Sequence, residues 1–437
     1  MENINIIVDT INGVLWHDFV LYTVLLVGVI LVIWTKFGPL IAFTHGLQVI
    51  WGKYDRKDDP GAISHFQALS AALSATVGLG NIGGVAVAIS LGGPGAIFWM
   101  WVVGFVGMAI KTTEVTQSML YRNTEDPDNP HGGPMFVVSQ GLANMNPAYA
   151  MLGRCIGYIF CVTLLVSTIT GGNMFQAWNV GTVTELNFGV PSILTGIILS
   201  IVTGMVIIGG IKRIGSVAGQ LVPFMCGLYL LASLYVLTVN IETIPSLIRL
   251  IFTSAFSATG AQGAFLGGTF GYAFLWGMKR ALFSNEAGQG SSPIAHSAAR
   301  TDEPVREGIV AGLEPFIDTI VVCTLTALVI LSSGAWNRSG EGVFTELPQV
   351  VEVGSGEWTL ETEPLPPNTE TAWTAGQDVF VVADVGTLNA GQGTSLAQIT
   401  GTVIEDGLTF TVDWGTYRGD TVPKIYDPGV YVNYTGA

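Results

Sequence analysis

Along the first three quarters of this chain, apolar residues run in long blocks separated by short polar or charged links. A helix needs about 20 residues to cross a hydrocarbon core of ~30 Å. Eight blocks meet or approach that length: Phe19–Thr35, Phe66–Leu91, Gly95–Ile110 running on past Lys111, Ile156–Ala177, Pro191–Ile211, Val217–Val239, Ala261–Phe283 and Gly308–Ser332. They predict an all-α polytopic membrane body over 19–333. Ahead of it, in 1–18, Ile4, Ile7, Val8, Ile11 and Leu15 fall on one helical face, the pattern of a short interfacial helix. Ile244–Phe256 is too short to span and carries Arg249, which predicts a re-entrant or interfacial helix. Beyond Gly334 the pattern changes. Val379–Val382, Thr402–Ile404 and Leu408–Val412 read as short strands, with Asp406-Gly407 as a turn signal, so 334–437 is expected to be a small β-rich segment.

Charge sets the orientation. With the N-terminus outside, 13 of the 17 Lys and Arg residues fall at inner ends or loops, and only Arg249, Arg338, Arg418 and Lys424 fall outside. Eight spans then put both termini on the outer face. The chain carries −15 overall, of which −11 lies from Gly334 onward, so a lipid-embedded body and a water-exposed acidic tail are expected. Only 11% of residues are charged, under half the share in a soluble domain. A negative balance also argues against nucleic acid, which needs a basic face. Cys155, Cys161, Cys226 and Cys323 lie in apolar runs without zinc spacing and read as small buried hydrophobes.

Gly78, Gly80 and Gly83 match the dinucleotide fingerprint G-x-G-x-x-G, but they sit amid 26 uncharged residues, and the next acidic residue is Glu114. Inside a span the same glycines predict a broken helix. A break frees backbone N–H and C=O groups that lipid cannot satisfy, so it persists only where it is buried or lines a cavity. Freed N–H groups at a half-helix N-terminus suit a carboxylate, and freed carbonyls suit Na⁺. Polar Ser74, Thr76 and Asn81 flank this break, and close packing through small residues is the alternative. Gly263, Gly267, Gly268 and Gly271 repeat the theme in the seventh block, the spacing of an inverted-repeat transporter.

The sequence ATVGLGNIGGV from Ala75, followed by GGPGAIFWMW from Gly92, resembles the alanine or glycine:cation symporter (sodium:alanine symporter) family. HGGPMF from His131, GGIKRI from Gly209, LFSNEAG from Leu282 and PIAH from Pro293 extend the likeness from about Phe66 to Ser333. The resemblance implies a LeuT-type inverted-repeat core of five plus five helices behind one extra helix, and Na⁺- or H⁺-coupled uptake of alanine or glycine. It implies no enzyme cofactor. By that likeness Gly78 and Leu79 would offer N–H groups to the substrate carboxylate, with Thr76 and Asn81 close by, and the Ser74 and Val77 carbonyls would match a sodium position. Asn173, Gln176 and Asn179, within GNMFQAWN, match a block that lines the pocket, although Trp178 interrupts its pattern.

Ionisable groups within spans are costly and mark candidate function. Glu114 is read as either a buried partner of Lys111 or a gate. Asp318, with Glu314 one turn before it, is read as either a hydrogen-bonded structural group or a coupling group. Glu286 is a candidate gate latch with Lys279 and Arg280, and His131 and His296 are read as loop histidines. The expected partners are a small neutral amino acid and the lipid bilayer. Rival readings are an uncoupled amino-acid channel or receptor and an intramembrane enzyme, the last without a nucleophile–base pair to support it. Family members carry eleven helices, so the second repeat is expected to be incomplete here. The chain is then read as a symporter fragment, non-transporting by itself, whose acidic tail is an extracellular loop insertion before missing helices.

Overall fold

The computed structural model describes residues 17–56, 58–256, 270–334, 336, 340–354, 356–368, 372–385, 396–406, 409–419 and 421–432. The expected interfacial helix over 1–18, apart from its last two residues, and Gly263, Gly267, Gly268 and Gly407 lie outside these. The chain divides into two compact units, a helical body Asp18–Trp336 and a unit comprising Asn337–Ala437.

The body contains α1 (Asp18–Trp34), α2 (Gly38–Ile50), α3 (His65–Thr76), α4 (Leu79–Gly92), α5 (Ala96–Leu120) and α6 (Pro134–Met145). It continues with α7 (Pro147–Phe188), α8 (Ser192–Ile207), α9 (Gly210–Val239), α10 (Ile244–Ala255), α11 (Phe270–Asn285), α12 (Ser292–His296) and α13 (Pro304–Ser332). Among the described residues, α5, α7, α9 and α13 are long and apolar enough to cross a membrane unbroken. Counting the bent pairs α1–α2 and α3–α4 as single spans makes six. Three places depart from the sequence expectation. The block Pro191–Ile211 yields only the 16-residue α8, because the Gly209-Gly210 pair, with Gly210 at φ +67°, turns the chain and starts α9 seven residues early. Of the block Ala261–Phe283, the part from Phe270 is helical as expected, and 261–269 lie outside the described residues. α2 and α6 were not anticipated, since α2 follows a bend at Lys36 and Phe37 (φ +51° and +61°) and α6 is too short to register as a span.

The main core forms where α4, α5, α11 and α13 meet, around Val85, Ile89, Ile97, Met100, Met278, Ala281, Ala327 and Leu331. A second cluster joins α3 to α9 through Leu69, Leu73, Ala218 and Val222. By contrast α7, α8 and α9 expose Ile159, Leu165, Ile197, Ile201, Phe224 and Leu231. In water each such side chain would forgo roughly 1.5–3 kcal/mol of burial. In hydrocarbon it loses nothing, as befits a membrane-integral protein. The cysteines divide along the same line. Cys323 is buried, Cys226 partly so, and Cys155 and Cys161 lie exposed on α7, against the expectation of burial, because that helix has few protein neighbours.

The second unit is antiparallel β structure. One sheet has β1 (Gly342–Val343), β9 (Gly429–Val432), β4 (Asp378–Asp384), β5 (Leu396–Asp406) and β6 (Thr409–Trp414) in that order, with β8 (Lys424–Ile425) also on β4. The other runs β2 (Val350–Gly354), β3 (Glu357–Leu360), β7 (Tyr417–Arg418). Val379, Val381, Ala383, Val403, Val412 and Trp414 alternate inward with Val430 and Trp373 to make an apolar core. Val379–Val382 and Thr402–Ile404 fall within β4 and β5, and Leu408–Val412 matches β6 from Thr409 onward, Leu408 lying outside the described residues.

Candidate functional site

The second apolar block is not one helix. α3 and α4 meet at 43° across Val77 and Gly78. α3 begins with a capping box, in which Ser64 Oγ accepts from the Gln67 N–H and the Gln67 side chain accepts from the Ser64 N–H. It ends because Val77 turns extended (φ −79°, ψ 102°), and Gly78 follows at φ −177°, ψ −134°. Asn81 fixes this geometry, since its Oδ1 accepts the Gly78 N–H at 2.8 Å.

The consequence is specific. In a continuous helix the Gly78 N–H would bond the Ser74 carbonyl, and the Asn81 N–H the Val77 carbonyl. Here the first goes to the Asn81 side chain and the second to the Gly78 carbonyl at 3.2 Å. The Ser74 and Val77 carbonyls are therefore released, at the C-terminal, electronegative end of α3. The Thr76 hydroxyl between them is buried and takes no hydrogen-bond partner among the described residues. Facing them is the N-terminus of α4 at Leu79. The Gly78 N–H, expected to be free for a substrate carboxylate, is already occupied by Asn81, which leaves those of the first turn of α4.

Behind the break lies a buried polar network. Asn81 Nδ2 donates to Asp318 Oδ1 at 2.5 Å and to Ser284 Oγ at 3.0 Å. Ser284 and Thr319 donate to Asp318 Oδ2 at 2.9 and 2.8 Å, and Asn285 Nδ2 reaches Thr319 Oγ1 at 3.2 Å. Asp318 is fully buried and sits in a π-helical turn, Phe316–Val322, that interrupts α13. Such turns recur at functional sites because they aim side chains off the regular helical face. Sequence reasoning singled out Asn81 and Asp318 but missed Ser284, Asn285 and Thr319. The first two lie within the block LFSNEAG, but nothing local to that block shows which groups they meet.

Of the three α7 candidates, Gln176 reaches the break, for a Cβ built on Gly78 would find its Oε1 at 3.9 Å. Asn173 is exposed in a second π turn, Thr168–Met174. Asn179 donates to the Phe175 carbonyl of its own helix at 2.9 Å.

A second buried cluster occupies the other end of α3. Glu307 receives His65 Nδ1 on one carboxylate oxygen and His296 Nδ1 on the other. His296 Nε2 lies 2.5 Å from Glu314 Oε1, which also accepts from Ser292 Oγ at 2.7 Å, and Glu314 Oε2 lies 3.1 Å from Lys111 Nζ. Lys111 is 3.9 Å from Glu114, the pair expected on α5. His296, read from sequence as a loop histidine, is wholly buried because the short α12 packs against α3 and α5, whereas His131 is exposed. Glu286 accepts from Ser291 Oγ, while Lys279 and Arg280 both lie 5.4 Å from the centre of the Trp276 ring.

An apolar helical body built around a span broken at freed carbonyls, with a buried carboxylate behind the break, is the architecture of a membrane transporter of small solutes. The comparisons agree. The model of the sodium:alanine symporter family matches residues 1–360, and the chain belongs to that family. It is 43% identical over 328 residues to the sodium/alanine symporter AgcS of Methanococcus maripaludis, covering 75% of this chain and 70% of that protein. It is 36% identical to the putative sodium/proton-dependent alanine carrier protein YrbD of Bacillus subtilis, covering 80% and 69%. To the probable sodium/glutamine symporter GlnT of the same organism it is 35% identical, covering 76% and 67%. These are transporters and not enzymes. The protein is accordingly a membrane-integral amino-acid transporter of the symport type.

Proposed function

We propose that this protein is a secondary active symporter that couples Na⁺ to the uptake of alanine or glycine across the plasma membrane. The observation that carries this reading is the release of the Ser74 and Val77 carbonyls on the α3 side of the break, opposite the α4 N-terminus. Carbonyl oxygens are ligands for a hard monovalent cation, and half-helix N–H groups receive a carboxylate. In this reading Ser74 and Val77 hold Na⁺. The substrate carboxylate meets the N–H groups of the first turn of α4, from Leu79, beside Thr76, and Asn81 holds the Gly78 N–H and sets the shape of the break. Gln176, with Asn173 and Asn179 further along α7, closes the pocket over the substrate side chain. The alanine named for AgcS and YrbD favours a small substrate, and the name of GlnT adds glutamine, a larger one.

The α3–α4 pair would be the first core helix of a LeuT-type inverted repeat, and alternating access would rock one helix group against the other around it. Glu114 and Glu286 would act at the inner gate, and the amino terminus and the acidic β unit would lie outside. H⁺ as the coupling ion is the second reading. It is favoured by Asp318, a buried carboxylate directly behind the break, and by the proton in the name of YrbD. Radiolabelled alanine uptake into proteoliposomes under imposed Na⁺ or pH gradients separates the two. Uptake without dependence on either gradient would make the protein an uncoupled channel.

A further inference from the structure

The cluster that joins Glu307, His296, Glu314 and Lys111 takes no part in the proposed substrate site. All four side chains are fully buried. With neutral imidazoles, Lys111, Glu307 and Glu314 leave one net negative charge, which is costly in a low-dielectric interior. Both ring nitrogens of His296 face carboxylate oxygens. A neutral imidazole has a lone pair on one nitrogen, which would here point at a carboxylate lone pair. One additional proton on His296 removes the repulsion and cancels the charge left by the three wholly buried groups Lys111, Glu307 and Glu314.

Around His296 the backbone is irregular and enclosed. Ser118 Oγ donates to the Pro293 carbonyl at 3.1 Å, and Arg122 donates to the carbonyls of Ser297 (2.9 Å), Ala299 (2.8 Å) and Thr301. The Ala62 N–H bonds Ala298 and the Arg300 N–H bonds Ile63, each at 2.8 Å. The segment thus threads between α3, α5 and α13, with His296 at its centre.

We propose that Glu307, His296 and Glu314 form a proton-binding site, and that its bound proton fastens the segment Ser291–Thr301 between α3, α5 and α13. The other charged groups facing the site are His65 on α3, with Asp55 3.8 Å from its far nitrogen, and Glu114 beside Lys111 on α5. Glu286, which accepts from Ser291 at the start of the segment, and Arg122, beyond α5, complete the set. Burial alone pushes the His296 imidazole down, and Glu314 and Glu307 outweigh it and hold it up at about 9. The proton therefore stays bound at neutral pH and leaves under alkaline conditions.

The test is thiol accessibility at Ala298, which is buried. Ala298→Cys is introduced into the full chain with its four native cysteines changed to Ala, and purified in detergent. Maleimide labelling is normalised to Asp128→Cys, at an exposed loop position, to cancel the pH dependence of the thiol itself. Relative labelling of position 298 should rise at least tenfold from pH 7 to pH 10, with its midpoint near 9, and His296→Gln should be open already at pH 7. Glu314→Gln removes that excess negative charge without the extra proton, so that variant should stay closed through pH 10. Protection of position 298 up to pH 10 in the otherwise unaltered chain would overturn the proposal. So would a Glu314→Gln variant that opens at the same midpoint, a result that stands even if His296→Gln fails to fold.

Discussion

Replacing Asn81 with Asp isolates one function of that side chain. The new carboxylate keeps an oxygen where Oδ1 now accepts the Gly78 N–H, so the cap that holds the break is retained. What is lost is the amide donor to Asp318 Oδ1 at 2.5 Å and to Ser284 at 3.0 Å. A hydrogen bond to a charged group is worth about 1.5–3 kcal/mol. Two carboxylates in direct contact in a site this enclosed cannot both stay charged. Removing one partner of a buried charged interaction costs about 3–5 kcal/mol, and Ser284 and Thr319 still serve Asp318, so a loss near 3 kcal/mol is expected. Asn81→Ala should lose about 1 kcal/mol more, because the cap goes too. The reciprocal pair, Asn81→Asp with Asp318→Asn, restores one amide and one carboxylate and should recover most of the loss. Thermal unfolding in detergent, followed by tryptophan fluorescence, measures all four. A single Asn81→Asp variant as stable as the parent, or a double variant no better than either single one, would refute the reasoning.

Other outcomes follow from packing and charge. A Cβ on Gly277 would lie 2.4 Å from the Ala96 carbonyl oxygen and 2.8 Å from Trp99 Cβ, where backbone cannot yield. Gly277→Ala should therefore separate α11 from α5 and cost roughly 1–3 kcal/mol in the same unfolding assay. Because His296 is held above its ordinary 6.5 at about 9, its contribution is fully present below pH 6.5 and is lost as pH rises through 9. At 1.36 kcal/mol per unit this comes to about 3 kcal/mol. Thermal midpoints should fall between pH 7 and 10, and His296→Gln should remove most of that fall. An equal fall in the variant would show that another group titrates.

The break in the second span was legible because four glycines within seven residues, flanked by Ser74, Thr76 and Asn81, have few other uses in an uncharged stretch. The strands of the β unit were legible for the equally simple reason that period-two alternation survives in β4, β5 and β6. Ser284, Asn285 and Thr319 were not legible, since their role depends on α11 and α13 meeting behind α4, and no local pattern encodes that meeting. The histidine–glutamate cluster is hidden for a related reason. His65, His296 and Glu307 sit near the ends of three different helices, where a polar residue ordinarily reads as a solvated span boundary, and Lys111, inside α5, reads from sequence as a partner only of its own helix neighbour Glu114. Sequence periodicity also overlooked α2 and α6, which are shorter than a span, and misjudged the start of α9 because a glycine pair ends one helix and begins the next.

The central claim is that the Ser74 and Val77 carbonyls, released by the Asn81 cap, bind the cation that drives uptake. Its most direct measurement is ²²Na⁺ binding to the purified chain, with and without alanine, for the parent and for Asn81→Ala. The account predicts saturable binding that alanine strengthens in the parent. In Asn81→Ala, where the Gly78 N–H is free to return to the Ser74 carbonyl, binding should fall at least tenfold. Sodium binding of equal affinity in the two proteins would contradict it.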